Sequence, residues 1–574
     1  MSADLLAEER PSRYVVGIDL GTTNSAVCYV DTHERPWRVR VLEIPQLVAP
    51  GQVEGRDTLP SFHFQPLQTL EPRTPNPEPR FVVGFMARDY GAASPGRLIS
   101  SAKSWLCHTG VDRTADLLPW HAAADVERIS PVEASSRYLA QIRTAWNGRF
   151  KSDPLEQQDI VLTLPASFDE IARELTIQAA ARAGLPKVVL IEEPQAAFYA
   201  WIYKHQANWE QLVSPGQKIL VCDIGGGTTD FTLIRVRTSD EGKVQFHRVA
   251  VGDHLILGGD NMDLTLAKNL EEKLGGQLPP RHWDVLLRLA RQAKEQLLSD
   301  EAPEEIKITL PGSGSKLIGG ALQAKVTRQQ AHELLVEGFM PRVALTDKPA
   351  ARRSGFQEFG LPYAADAAIT RHLAAFLTAH RHAGEEGDRG QGTGDRGGDS
   401  ARPDVVLFNG GVFESALLRK RLIDCLTDWF PAGSRTPNPE PLAPQVLDND
   451  RLDLAVARGA AYYGMVRRGE GVKIVASLAR TYYIGVESRN ATEGAPDSAE
   501  PRAPNPEPRA PFALCLVPGS AEPGQEIELT ERQFDLLVSE PVEFPLYTSS
   551  IRLTDQPGEL VAVDPEQMTA LPPI

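Results

Sequence analysis

Cysteine is scarce in this chain: five among 574 residues, at Cys28, Cys107, Cys222, Cys425 and Cys515. They are scattered and odd in number. That excludes a disulfide framework and a zinc site, and reads as buried thiols in a reducing cytoplasm. No apolar run approaches ~18 residues, so no membrane-spanning helix is expected. Residues 1–11 mix acids with arginine and hold no apolar stretch, so no secretory signal is expected. Basic blocks are missing too. Against 76 acids stand 60 Lys and Arg, a net charge of -16. That balance argues against nucleic acid and against anionic membranes as partners. The pattern G-x-x-x-x-G-K-[ST] is absent, which excludes a P-loop.

The chain does have apolar material, 42% of its residues, and length for roughly four domains. Its organising stretch runs from Lys218 to Phe231: Lys218-Ile219-Leu220-Val221-Cys222-Asp223, then Ile224-Gly225-Gly226-Gly227-Thr228-Thr229-Asp230-Phe231. An apolar run enters three glycines, two hydroxyls and an acid, and a second apolar run leaves. This pattern predicts a β-hairpin with a glycine tip. Glycine lets backbone N–H groups close on an anion, and successive N–H groups form a nest for phosphate. Thr228 and Thr229 add hydroxyls. Asp223 is placed to face a hydrated Mg²⁺ bound to that phosphate. Taken alone, such a turn is equally a plain hairpin. The same grammar recurs at Val15-Val16-Gly17-Ile18-Asp19-Leu20-Gly21-Thr22-Thr23-Asn24-Ser25. Two such hairpins, facing each other, would grip a nucleotide's phosphates from both sides.

Two further segments narrow the reading: Val161-Leu162-Thr163-Leu164-Pro165-Ala166-Ser167-Phe168-Asp169-Glu170-Ile171-Ala172-Arg173 and Ile191-Glu192-Glu193-Pro194-Gln195-Ala196-Ala197. With the hairpins they resemble the DnaK-type heat-shock-70 chaperones of the actin-like ATPase superfamily, rather than actin or the sugar kinases. The resemblance covers Arg13 to Arg468. It implies an α/β fold: a duplicated actin-like ATPase, two ribonuclease-H-like lobes flanking a nucleotide cleft, then a short, mainly β C-terminal region. The implied divisions are a lobe at 13–212 with a small subdomain at about 50–134, and a lobe at 213–468 with one at about 263–334. A linker at 469–480 and a reduced substrate-binding-like domain at 481–574 follow.

The resemblance also implies a site. ATP or ADP would bind with Mg²⁺, and K⁺ is a further cation to consider. Asp19, Glu193 and Asp223 would meet the Mg²⁺ through water. Lys103, on Ser101-Ala102-Lys103-Ser104, would meet the γ-phosphate and the attacking water, and Thr228 would help hold that water. Gly21, Thr22, Thr23, Asn24, Gly225, Gly226, Gly227, Thr229 and Asp230 fall to the phosphate loops. Lys294 would hold the ribose, and Gly410, Gly411 and Asp453 complete the nucleotide site. Acids beside a cation keep low pKa values, so these carboxylates are expected ionised. Pro165 and Arg173 match the family's relay from nucleotide to domain surface.

Departures stand on the adenosine side. Arg291 lies where an acid is usual and Glu295 where arginine is common; at i and i+4 they can pair with each other. Val412 and Glu414 follow Gly410-Gly411 where a hydroxyl residue and an arginine are usual, so arginine stacking on the base is missing. Lys473 interrupts a linker that is normally acidic, and no lid helix follows.

Elsewhere the pattern predicts strands at Trp37–Ile44, Asp159–Leu164, Lys187–Ile191, Val244–Val251, Glu305–Leu310, Ala324–Thr327 and Val405–Phe408. C-terminal strands are expected at Thr481–Glu487, Phe512–Val517, Glu526–Leu529, Val542–Tyr547 and Leu560–Val563. Helices are expected from Pro131 to about Trp146, to Ala183 from a Ser167–Glu170 capping box, and over Leu264–Leu274, Trp283–Leu298 and Arg328–Phe339. Pro-Asn-Pro-Glu-Pro recurs at Pro75–Pro79, Pro437–Pro441 and Pro504–Pro508. It reads as polyproline-like or disordered insertion, and Glu385–Pro403 as a disordered loop.

The function implied is an ATP-hydrolysing chaperone that binds unfolded or extended polypeptide segments, with a J-domain co-chaperone and a nucleotide-exchange factor as partners. The alternatives are a nucleotide-switch scaffold with weak ATPase and a dedicated protein partner, and a small-molecule kinase. Pro165–Arg173 argues against the kinase.

Overall fold

The computed structural model describes residues 12–66, 80–91, 94–108, 110–238, 244–253, 255–310, 322–350, 361, 363–382, 400–430, 443–476, 480–486, 512–519, 521, 526–529, 544–549, 551–552, 555–565 and 567–571. All three proline repeats lie outside these residues, as does most of Glu385–Pro403.

The first sheet starts from β1 (Tyr14–Leu20) and β2 (Asn24–Asp31), antiparallel from Tyr14↔Asp31 to Leu20↔Ser25. The outer neighbours of β2 are β3 (Val39–Val41) and β4 (Thr58–Pro60). The chain leaves through the helices α1 (Ala102–Leu106) and α2 (Pro131–Arg149) and returns as β5 (Asp159–Leu164), parallel to β1. The helix α3 (Glu170–Arg182) leads to β6 (Val188–Glu192), parallel to β5, and then to the helix α4 (Glu193–Lys204). The six-stranded order is β6-β5-β1-β2-β3, with β4 also on β2. β1 and β5 are buried almost throughout, as strands covered on both faces must be.

The second sheet repeats this plan. The hairpin strands β7 (Lys218–Ile224) and β8 (Thr229–Thr238) are followed by β9 (Val244–Val251). The helices α5 (Gly259–Lys273) and α6 (Pro280–Leu297) come next, then a two-stranded sheet at Glu305–Leu310 and Leu322–Thr327. The following helix, Arg328 to Phe339, passes through a π-helical stretch at His332–Val336. β10 (Val405–Asn409) pairs parallel to β7, the helix α7 (Ala416–Trp429) follows, and β11 (Gln445–Leu447) pairs parallel to β10. The helix α8 (Leu452–Arg467) leads into β12 (Ile474–Ala476), parallel to β9. The order is β11-β10-β7-β8-β9-β12, again six strands. Part of the segment expected as a linker is therefore a strand of this sheet. It begins directly after Lys473, where backbone pairing is indifferent to the lysine side chain.

A single core cluster unites the two sheets: Val161 and Ile191 pack with Ile219, Val221, Leu407, Val456 and Tyr462. The strands β13 (Thr481–Val486), β14 (Phe512–Val517), β15 (Leu546–Ser549), β16 (Leu560–Ala562) and β17 (Thr569–Leu571) form a five-stranded sheet, order β16-β14-β13-β15-β17.

Several local expectations need correction. Glu526–Leu529 is irregular; of the strand expected at Val542–Tyr547, Val542 and Glu543 lie outside the described residues, Phe544 and Pro545 are irregular, and the ladder holds Leu546 and Tyr547. Trp37–Ile44 is not one strand: Val39–Val41 pairs with β2, and Ile44 opens a separate strand, Ile44–Ala49, paired with Gln52–Arg56. The N-cap of α3 is Asp169, which accepts from the Ala172 N–H at 2.7 Å; Ser167 is not the cap. α5 begins at Gly259 rather than Leu264 because its first N–H groups have partners outside the helix: Gly259 N–H donates to Gly225 C=O and Asp260 N–H to Gly226 C=O, at 3.0 and 2.7 Å. A β-carbon on Gly258 would sit 2.6 Å from the Gly226 oxygen, so glycine permits this docking.

Candidate active site

The two hairpin tips meet. Gly225 N–H closes its own turn onto Thr228 C=O at 2.9 Å. A β-carbon on Gly226 would collide with Thr23 Oγ1, and one on Gly227 would lie 2.7 Å from Thr22 Cγ2 and 2.9 Å from Ser104 Oγ. The other tip is held from outside: Ser61 Oγ donates to Gly21 C=O at 2.7 Å. Gly410, at φ +86°, completes the wall; a side chain there would press on the Ile224 carbonyl.

Each hairpin's first strand carries an acid toward its end, and a parallel neighbour holds it. Thr163 on β5 donates to Asp19 Oδ1 at 3.0 Å. Asn409 on β10 donates to Asp223 Oδ2 at 2.9 Å. Glu193 opens α4, where the helix dipole favours an anion. It pairs with Lys103, which α1 carries in, almost fully buried. Asp230 accepts from Ser167 Oγ at 2.5 Å.

Burial raises these acids rather than lowering them. Asp19 is pushed up to about 7 by burial and by Glu193, against the pull of Lys103 and the Thr163 hydroxyl. Burial, with Glu193 beside it, holds Asp223 well above the carboxylate range. Burial also raises Glu193, opposed by Lys103, and raises Asp230, opposed by the Ser167 hydroxyl. These directions belong to the protein groups by themselves, several carboxylates sharing one desolvated space with Lys103 as their near cation; the expected low values concern acids beside a bound metal ion. Burial pulls Lys103 down, yet Glu193 and Asp19 outweigh it and hold the ammonium above its usual value.

Asp19, Lys103, Glu193 and Asp223 line a cleft of about 500 Å³. Of the expected residues, Asp19, Gly21, Thr22, Thr23, Asn24, Lys103, Glu193, Asp223, Gly225, Gly226, Thr228, Lys294, Gly410, Gly411 and Asp453 face it. Three stand behind the wall. Gly227 packs on Thr22 and Ser104, Thr229 Oγ1 donates to Leu257 C=O at 2.7 Å, and Asp230 turns to Ser167. Lys294 is tied to Asp263 at 2.7 Å and donates to Gly259 C=O at 3.0 Å. Asp453 accepts from Arg451, which also reaches Asp57. Arg291 and Glu295 pair at 3.1 Å. A larger cavity, about 1160 Å³, lies elsewhere, among α3, Arg480 and the edge of the C-terminal sheet. It touches neither glycine tip.

Sequence reasoning missed Thr163, Ser167, Asp260, Asp263 and Asn409. Asp263 closes the glycine-bearing stretch Leu257-Gly258-Gly259-Asp260-Asn261-Met262-Asp263, but its partner Lys294 is remote in sequence. Ser167 was absorbed by an apparent helix cap.

The donors around the tips are oxygens, which fit a hard cation such as Mg²⁺. Asn409 Oδ1, Thr23 Oγ1 and Ser104 Oγ are buried without hydrogen-bond partners. Among the described residues, no group of three His, Cys, Asp or Glu side chains is close enough to hold a metal.

The Hsp70 protein family model matches residues 101–352, a span holding Lys103, Glu193, the second hairpin and Lys294. Chaperone protein HscA of Salmonella agona (strain SL483) is 29% identical over 362 residues, 61% of this chain and 51% of that protein. Chaperone protein HscA of Enterobacter sp. (strain 638) is 29% identical over 345 residues, 58% of this chain and 48% of that protein. The chain spans about half the length of the curated relatives it matches. Among the described residues no helix is long and apolar enough to cross a membrane. An Hsp70 domain implies the actin-like ATPase fold, and the mixed α/β sheets agree with it; the chain resembles Hsp70 proteins over residues 101–352 and the HscA chaperones at 29% identity.

Proposed function

We propose that this chain binds ATP and ADP with Mg²⁺ and hydrolyses ATP, and that nucleotide state governs its binding of unfolded or extended polypeptide segments in the cytoplasm. The observation that carries this reading is the meeting of the two glycine tips beside the Lys103–Glu193 pair. In this reading 13–212 and 213–468 act as lobes around the cleft, 469–480 connects them to 481–574, and a J-domain co-chaperone and an exchange factor serve as partners.

Phosphoryl transfer to water rests on positioning and charge neutralisation. The backbone N–H groups of both tips and the hydroxyls of Thr22, Thr23 and Thr228 would hold the phosphates. The Lys103 ammonium, kept charged by Glu193 and Asp19, would face the γ-phosphate and orient the attacking water. Asp230, fixed by Ser167, would brace the hairpin that carries Thr228. When bound, Mg²⁺ would supply further neutralisation of phosphate charge, and Asp19, Glu193 and Asp223 are the residues to meet it through water.

Single-turnover ATP hydrolysis, with and without a model unfolded peptide, tests the proposal. Hydrolysis that responds to peptide supports it. Tight ATP binding with negligible hydrolysis and no peptide response would favour the nucleotide-switch scaffold. The two carboxylates on the adenosine side, Glu295 and Glu414, are the observation on that reading's side.

A further inference from the structure

Among the described residues, two that are not glycine hold a left-handed backbone: Ser101 at φ +54° and Arg451 at φ +50°. Each stands just before a helix and two residues before a side chain that lines the cleft, Lys103 on α1 and Asp453 on α8. A β-carbon strains such a backbone, and the strain persists where the surroundings over-determine it. Around Arg451 those surroundings are hydrogen bonds. Its Nε donates to Asp453 Oδ1 and its Nη2 to Asp453 Oδ2, both at 2.9 Å, a parallel two-bond pair. The same Nη2 donates to Asp57 Oδ2, also at 2.9 Å.

Asp57 belongs to the support of the first glycine tip. It directly precedes β4, which pairs with β2 from Asn24↔Pro60 to Ala26↔Thr58. Just past β4, Ser61 donates its N–H to Thr23 C=O at 2.9 Å and its hydroxyl to Gly21 C=O at 2.7 Å. One guanidinium therefore ties the start of α8 to the strand that braces the tip. Asp453 also needs a cation. Among the described residues the cations lining the cleft are Lys103, Arg291 and Lys294, and each is engaged by an acid of its own: Glu193, Glu295 and Asp263. Arg451 reaches Asp453 from outside that lining and occupies both carboxylate oxygens.

A polyphosphate brings several negative charges, and an uncompensated carboxylate on the wall repels each of them. The three side chains are 41% to 46% exposed, and an ion pair so exposed adds little to stability. What Arg451 supplies is thus position and charge. We infer that Arg451 is a positioning residue of the nucleotide site: it keeps the Asp453 carboxylate neutralised and turned to itself, so that phosphates meet the first tip without that charge. This rests on the nucleotide reading of the cleft.

The test is calorimetric titration of the full chain with ADP in Mg²⁺. It compares the wild type, Arg451→Gln, Arg451→Lys and the double variant that joins Arg451→Gln to Asp453→Asn. Arg451→Gln should raise the ADP Kd at least ~5-fold, and a smaller rise overturns the inference. The double variant should recover at least ~3-fold of that loss, because the charge left bare is gone. A merely structural role predicts no recovery, since the second change removes one more partner, and no recovery overturns the inference. Arg451→Lys keeps the charge without the paired donors and should stay within ~3-fold of the wild type. Should Arg451→Gln fail to fold, this variant decides, and a larger loss overturns the inference. One Kd shared by the wild type and every variant sinks this inference and leaves the nucleotide reading standing. No binding of ADP by the wild type sinks both.

Discussion

Strands β1, β2 and β5 of the first sheet and β7, β8 and β10 of the second run in the same order and sense. Asp19 and Asp223 take corresponding places on their first strands, and Thr163 and Asn409 hold them from corresponding parallel neighbours. The outer edges differ. Beyond β2 comes β3, three residues long. Beyond β8 comes β9, eight residues long, which takes β12 as a parallel neighbour. The hairpin with its held acid is thus duplicated, whereas the route to the C-terminal sheet leaves from the second half alone. Lys103 breaks the symmetry of the cleft, because it arrives on a helix of the first half and pairs with Glu193.

The largest expected effect strikes where the halves join. α8 crosses β1 at Gly17, where a β-carbon would collide with Ala457 C=O, and meets α4 at Gly459, where one would collide with Ala196 C=O. Gly459→Val should lower stability by about 3 kcal/mol, since an overpacked backbone contact cannot relax by a rotamer change. Urea unfolding measures this; a loss under about 1 kcal/mol would show that the two helices can separate freely.

Next comes the asymmetric lysine. Lys103→Ala should retain ATP binding and lower single-turnover hydrolysis by at least ~10²-fold, about 2.7 kcal/mol of barrier. Unchanged turnover would remove Lys103 from the chemistry and restore the symmetry.

The paired acids can be compared directly. Asn409→Ala should weaken Mg-ADP binding by about tenfold, or ~1.4 kcal/mol. Thr163→Val should cost less, because Asp223 is buried whereas Asp19 is only partly so, and a buried acid relies more on its partner. Equal losses by calorimetry would make the two halves equivalent at this point.

The smallest effect concerns the proline repeats, one in each half. Replacing Pro75–Pro79 or Pro437–Pro441 by a short Gly/Ser link should change stability by less than ~1 kcal/mol, because surface loop length costs little. Loss of folding in one half only would show that its repeat packs.

Much of the fold was legible because it rests on local pattern. Asp159–Leu164, Val244–Val251 and Glu305–Leu310 are strands at the expected residues, each an apolar or alternating run between turn signals. Phe512–Val517 is another. Glycine at Gly225 to Gly227 likewise announced a place where backbone must approach closely. Other features depend on partners far along the chain. The start of α5 could not be read from 257–264, since its N–H partners are carbonyls of the second hairpin. The Ser167 hydroxyl had an apparent local use as a cap, and the fold gave it to Asp230 instead. Glu526–Leu529 has strand composition but no ladder.

The sequence by itself therefore determined the chemical parts: two glycine tips, their acids, a lysine helix and the order of the strands. Tertiary structure alone decided their state. Asp19, Glu193 and Asp223 are raised because folding strips their water and sets them near one another, with Lys103 among them. Desolvation is a property of everything that surrounds a group, and no spacing along the chain encodes it.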